Sequence, residues 1–234
     1  MFFDPLYLIM LLPAMLLAMW AQWRVRSAFQ YASQVPVRLT GAEAARMMLD
    51  ANGLTMVGIE PVGGFLSDHY DPRHKVLRLS PDVYQARSAA AVGIAAHEAG
   101  HALQDAQAYA PLVIRNAAVP LAATGSNFAM MLFIFGLVFS AVAKVLGLWL
   151  ILAGIVLFGA VVFFQLVNLP VEYDASRRAK IALAEMGVVD ASAAGAVNRV
   201  LNAAALTYVA ATVTAILTLL YMLIRSGLLG GRDD

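Results

Sequence analysis

A mostly α-helical integral membrane protein with a small α+β portion is the fold class this sequence predicts, on three observations. Of its 234 residues, 61% are hydrophobic and 13% charged, with a mean hydropathy of +0.74; soluble domains sit near about 45–50% apolar and about 25% charged. About four apolar runs each approach the roughly 20 residues that cross a bilayer. The polar residues gather in two blocks between those runs, 25–115 and 169–202. A net charge of +1 gives no electrostatic footprint for nucleic acid. With no cysteine, disulfides and thiolate-bound metals are excluded.

The chain divides in order. Residues 1–24 form an N-terminal transmembrane anchor, apolar without a break from Pro5 to Trp20, with Trp20, Trp23, Arg24 and Arg26 marking an interface. No positive n-region or small-x-small cleavage site accompanies it, so it reads as an uncleaved anchor in which Pro13 is tolerated. In the polar portion 25–115, Thr40 and Glu43 make a capping box and Gly53 a stop, predicting a helix over 41–52. Residues 54–62 are β-rich, Gly63-Gly64 turns, 68–73 reads as a polar loop, and Val76–Leu79 as a second strand. Ser80-Pro81 opens a helix near Asp82. A two- or three-stranded sheet beside the next helix is the expected result.

That next helix carries His97-Glu98-Ala99-Gly100-His101. Residues four apart share a helix face, so both imidazoles can meet one zinc ion, with Glu98 beside the open position where water would sit. A surface helix with solvated histidines would show the same five residues. Against that reading, Glu98 is the one formal charge between Arg87 and Asp105, and two of only four histidines stand here. The other two, His69 and His74, lie with Asp68 and Asp71 and read as a solvated polar turn, with His69 or Tyr70 also open to a substrate-side role.

Residues 116–168 read as a transmembrane hairpin bending at Ala143-Lys144-Val145. Residues 169–202 read as polar helices, the first opening at Glu172 and ending at Gly187, the second capped by Asp190. Arg177, Arg178 and Lys180 make a basic patch of the kind that faces phospholipid. Residues 203–225 form the last span and 226–234 a loose tail. Residues 24–115 hold nine Lys and Arg and 169–202 hold four, against Lys144 alone at the bend and two in the tail. The positive-inside rule places both polar blocks in the cytoplasm and the termini and bend outside.

A catalytic zinc takes three protein ligands and keeps one place for water. No histidine follows His101; the acids that do are Asp105, Glu172, Asp174, Glu185, Asp190 and two tail aspartates. Asp105 is too near along the same helix. Glu172 is favoured, because a hairpin returns it to the side of the motif, although a charge at a helix start also simply favours the macrodipole. Asp174 is the candidate to hold a ligand histidine by its second ring nitrogen.

The layout of H-E-x-x-H, two spans and a glutamate resembles the membrane gluzincins of the HtpX-type and CAAX-prenyl endopeptidase group. The stretches 68–72, 95–104 and 169–178 resemble more closely the YugP-like neutral zinc metallopeptidases of bacteria, a likeness running from about Leu39 to the last span. It implies a zincin-like catalytic portion, one zinc ion on His97, His101 and Glu172, and Glu98 as base. Position 176 is Ser where the HtpX-type motif has Asp.

The expected function is therefore a membrane-embedded zinc metalloendopeptidase, multi-pass in a bacterial cytoplasmic membrane and facing the cytoplasm. It would cut a protein or peptide substrate with zinc-activated water and Glu98. Tyr70, His69 and Arg177 are candidates for oxyanion or substrate contacts. The bilayer is a partner, nucleic acid is not, and an oligomer or membrane partner proteins are compatible with the spans. Two alternatives have other signatures. An intramembrane-cleaving protease would put the motif inside a span, but Arg87 and Asp105 bracket it too closely. A zinc-containing scaffold or chaperone partner would need no base at Glu98.

Overall fold

The computed structural model describes residues 4–64 and 67–229. The first residues of the expected anchor and most of the expected tail therefore lie outside the described residues. The protein is mostly helical, with one small sheet: α1 Pro5–Ser33, α2 Gly41–Ala51, β1 Gly58–Pro61, β2 His69–Asp71, β3 Val76–Leu79, α3 Pro81–Tyr84, α4 Ala89–Ala106, α5 Ala110–Phe139, α6 Lys144–Glu185 and α7 Ala191–Arg225. Three helices, α1, α6 and α7, are long and apolar enough to cross a membrane. The fourth expected span falls on α5, which bends by 45° between Ala110–Ala122 and Thr124–Phe139. Pro120 lies just before the bend; it cannot donate to the preceding turn and its ring crowds a carbonyl. The Thr124 hydroxyl donates to the Pro120 carbonyl at 3.0 Å.

Local signals behave as the sequence predicts around α2 and α4. Thr40 and Glu43 complete a reciprocal capping box, and Gly53 ends that helix at φ +75°. Ser88 caps α4 through Ala91 N–H. Asp190 caps α7 through Ala193 N–H at 2.8 Å.

Four boundaries differ. α1 runs on past Trp23 to Ser33 because its far end has a core to enter: Ala32 is fully buried. The 68–73 stretch contains strand β2 rather than a plain loop. The helix expected from Asp190 and the last span are one helix, α7. The expected helix start at Glu172 is absent, since α6 runs unbroken through Pro170. A proline removes one hydrogen bond, and a helix packed on both sides of it absorbs that loss.

The chain forms two compact units. One comprises the described residues up to Trp20, Ile114–Leu169 and those from Tyr208 onward; the other comprises Ala21–Val113 and Pro170–Thr207. The first is built on large side chains, among them Phe133, Ile151, Phe158, Tyr221 and Met222. Within it Asp4 accepts from the Tyr221 hydroxyl at 2.8 Å and pairs with Arg225 at 3.2 Å. Leu137 and Val138, in the last turn of α5, line the same cavity as Asp4, Tyr221 and Arg225.

In the second unit the core is alanine-rich and α4 is its centre. Glycines mark where other helices touch. A Cβ on Gly41 of α2 would lie 2.9 Å from the Ala91 carbonyl oxygen, and one on Gly93 would meet Val197 of α7 at 3.2 Å. A Cβ on Gly100 would lie 2.7 Å from the Ala175 carbonyl oxygen of α6. The sheet order is β1-β3-β2, with β1 parallel and β2 antiparallel to β3. Leu77 and Leu79 of β3 are fully buried. Pairing opposite Leu77 puts Tyr70 on that same face, and His69, opposite Arg78, on the other.

Candidate metal centre

The contact at Gly100 sets the site. It brings the α6 backbone onto the α4 turn between the two histidines, so Glu172 lies against both rings. His97 Nε2 is 3.2 Å from Glu172 Oε2, and His101 Nε2 is 3.6 Å from the same oxygen. One ligand atom from each residue can be chosen so that all lie within 4.8 Å of one another. Tetrahedral ligands about 2.0–2.1 Å from a zinc ion stand about 3.3–3.4 Å apart, so the two imidazole–carboxylate spacings and the N,N,O donor set fit zinc. His101 and Glu172 are buried, and a buried carboxylate needs a cation. Burial resists a proton on His101. Its hydrogen bond with Glu172, and the charges of Glu98 and Glu172, outweigh that and raise its pKa. A metal ion satisfies the same negative charge. Among the described residues this is the one acid–histidine group close enough to hold a metal.

The backs of the two rings are held differently. His97 Nδ1 lies 3.1 Å from the Ser176 hydroxyl. Ser176 is four residues past Glu172 on α6 and so shares its face. His101 Nδ1 lies 3.0 Å from Gln104 Oε1. Asp174 was expected to take a ligand histidine itself; instead it receives the Gln104 amide at 3.0 Å, together with Arg177 and Arg178. The geometry explains this, since Gln104 is one turn beyond His101 and fills the space between ring and carboxylate.

Glu98 Oε2 accepts from Tyr70 N–H at 3.0 Å, so the edge strand β2 holds the expected base by its backbone. The Tyr70 hydroxyl is engaged elsewhere: it donates to Asp105 at 2.7 Å, and Lys75 reaches the same carboxylate at 2.5 Å. Burial, then the bond to Asp105, push the phenol pKa up. Glu98 and Asp105 are two helical turns apart, so Tyr70 grips α4 at two points along one face.

His69 and Arg177 do not join this group. His69 faces the outer side of the sheet and its Nδ1 is bonded to the Ser67 carbonyl at 2.8 Å. Arg177 turns to Asp174, so its basic neighbourhood is partly neutralised within the fold. The remaining acids of the 68–72 stretch build the strand rather than a site. Asp68 accepts from Ser80 N–H at 2.7 Å. Asp71 takes Arg78, His74 and the Arg73 N–H, and the His74 and Arg78 bonds hold its carboxyl well below the usual range.

Ser176 and Gln104 are the two site residues that sequence reasoning missed. The first had a signal, the i+4 spacing from Glu172. The second is neutral and lies inside the helix, and nothing in its type marks it.

The chain matches, over residues 7–227, the profile of a family described as "Putative neutral zinc metallopeptidase". It is 44% identical over 231 residues to the "Putative membrane protease YugP" of Bacillus subtilis (strain 168), covering 98% of this chain and 99% of that one. No solved structure matches.

Proposed function

From the premise that this chain belongs to the neutral zinc metallopeptidase family, we propose that it is a membrane-embedded zinc endopeptidase whose ion is held by His97, His101 and Glu172. The observation that carries the proposal is the convergence of both Nε2 atoms on one buried carboxylate oxygen. When bound, zinc would supply Lewis-acid polarisation of the scissile carbonyl and a more acidic water. Glu98, oriented by Tyr70 N–H, takes the proton from the attacking water and returns it to the departing amine.

The proposed membrane topology is four crossings with the catalytic portion in the cytoplasm of a bacterial cell. The bent helix α5 serves as the fourth span. Asp4 at the start of α1, Arg225 at the end of α7 and Val138 near the end of α5 line one cavity, which supports an even number of crossings. The thirteen Lys and Arg of the two polar blocks supply the orientation.

Glu98→Gln tests the mechanism. In detergent, with casein and with the chain itself as substrates, hydrolysis should fall by about 10²–10⁴-fold while bound zinc is unchanged. Equal hydrolysis by the variant would remove Glu98 as base; zinc binding with no hydrolysis by either protein would favour a scaffold.

A further inference from the structure

We propose that Gln104 is a positioning residue that holds His101 by its Nδ1–H and thereby leaves Nε2 to face the ion beside Glu172. The inference deepens the zinc-site reading and rests on it.

The Gln104 side chain is fully buried. Its Nε2 lies 2.8 Å from the Val171 carbonyl oxygen and 3.0 Å from Asp174 Oδ2. The Val171 carbonyl can only accept, so the atom facing it must be the amide NH₂. The opposite orientation would set an amide oxygen against two oxygens in a buried place, at the cost of two lost hydrogen bonds. The atom facing His101 Nδ1 at 3.0 Å is then the amide oxygen. That oxygen cannot donate, so Nδ1 must carry the hydrogen. Nε2, 3.6 Å from Glu172 Oε2, is then the nitrogen left for the ion.

Asp174 anchors the chain of bonds. Arg177 reaches its Oδ1 at 2.5 Å and Arg178 its Oδ2, and Arg178 also reaches Gln107 Oε1 at 2.6 Å. These contacts fix the carboxylate against the Gln104 amide. His97 lacks such a lock, because the Ser176 hydroxyl can either donate or accept. Free imidazole in a histidine side chain favours the Nε2–H form, so the Gln104 contact works against the intrinsic preference of the ring.

The direct readout is the tautomer. In ¹⁵N-histidine-labelled, zinc-loaded protein in detergent, His101 is assigned by its loss from the His101→Gln spectrum. It should show a protonated Nδ1 and an unprotonated Nε2; a protonated Nε2 overturns the proposal. The second readout is zinc affinity by chelator competition. Gln104→Met, close in shape but without the amide, should bind zinc 10–100-fold more weakly, the range typical of ligand-supporting groups. Wild-type affinity in that variant also overturns the proposal. A wild-type protein that binds no zinc overturns the metal centre and this role of Gln104 with it, whereas wild-type affinity in Gln104→Met overturns the role alone.

Discussion

Both units bring helices together on glycine, yet they use the close approach for different ends. In the apolar unit a Cβ on Gly154 would lie 2.8 Å from the Ala129 carbonyl oxygen, and one on Gly136 would lie 2.7 Å from Ile151. Around those contacts sit Phe133, Ile151 and Tyr221, and the close approach serves packing in a setting where small residues drive helix association. In the alanine-rich unit, Gly100 meets Ala175 at the same range, but the residues flanking that contact are His97, His101, Glu172 and Ser176. There the interhelix distance is also the ligand-to-ligand distance. One packing device gives stability in the first case and coordination geometry in the second.

This difference can be broken by widening each contact in turn. Gly100→Val should have the largest effect. Backbone on α6 cannot yield as a side chain would, so the helices part, stability falls by about 1–3 kcal/mol or more, and the displacement of Glu172 weakens zinc binding. Chelator competition and a thermal melt on the same sample read both. Gly154→Ala should cost a similar about 1–3 kcal/mol in the melt and leave zinc affinity at the wild-type value. Equal loss of zinc in the two variants would erase the distinction. Gly159→Ala is the smallest perturbation: its Cβ meets nothing within 4 Å, so the gain in helix propensity, at most about 1 kcal/mol, is the only change.

How much of this was legible in the sequence follows from the range of each interaction. The capping box at Thr40 and the cap at Asp190 are local, and the residue types report them. The grouping of His97 with His101 is also local, one turn of helix. Glu172 was found by elimination and topology, although its expected place at a helix start was not what the fold adopts; it lies inside α6 because packing overrides Pro170. The 68–72 stretch reads in the sequence as a solvated polar turn and is instead largely architectural, its acids tied to Ser80, Arg78 and His74. Only the main-chain N–H of Tyr70 touches the expected base, and a backbone contact leaves no mark on residue type. The Gln104–Asp174 connection joins residues 70 apart, beyond the reach of any local pattern.

The central claim is that α4 and α6 grip one cation together, and elemental analysis of zinc-loaded, chelator-washed protein in detergent tests it most directly. Wild-type protein should hold one zinc per chain and Glu172→Gln far less at the same wash. Full occupancy in Glu172→Gln with unchanged affinity, or none in the wild type, would contradict the account.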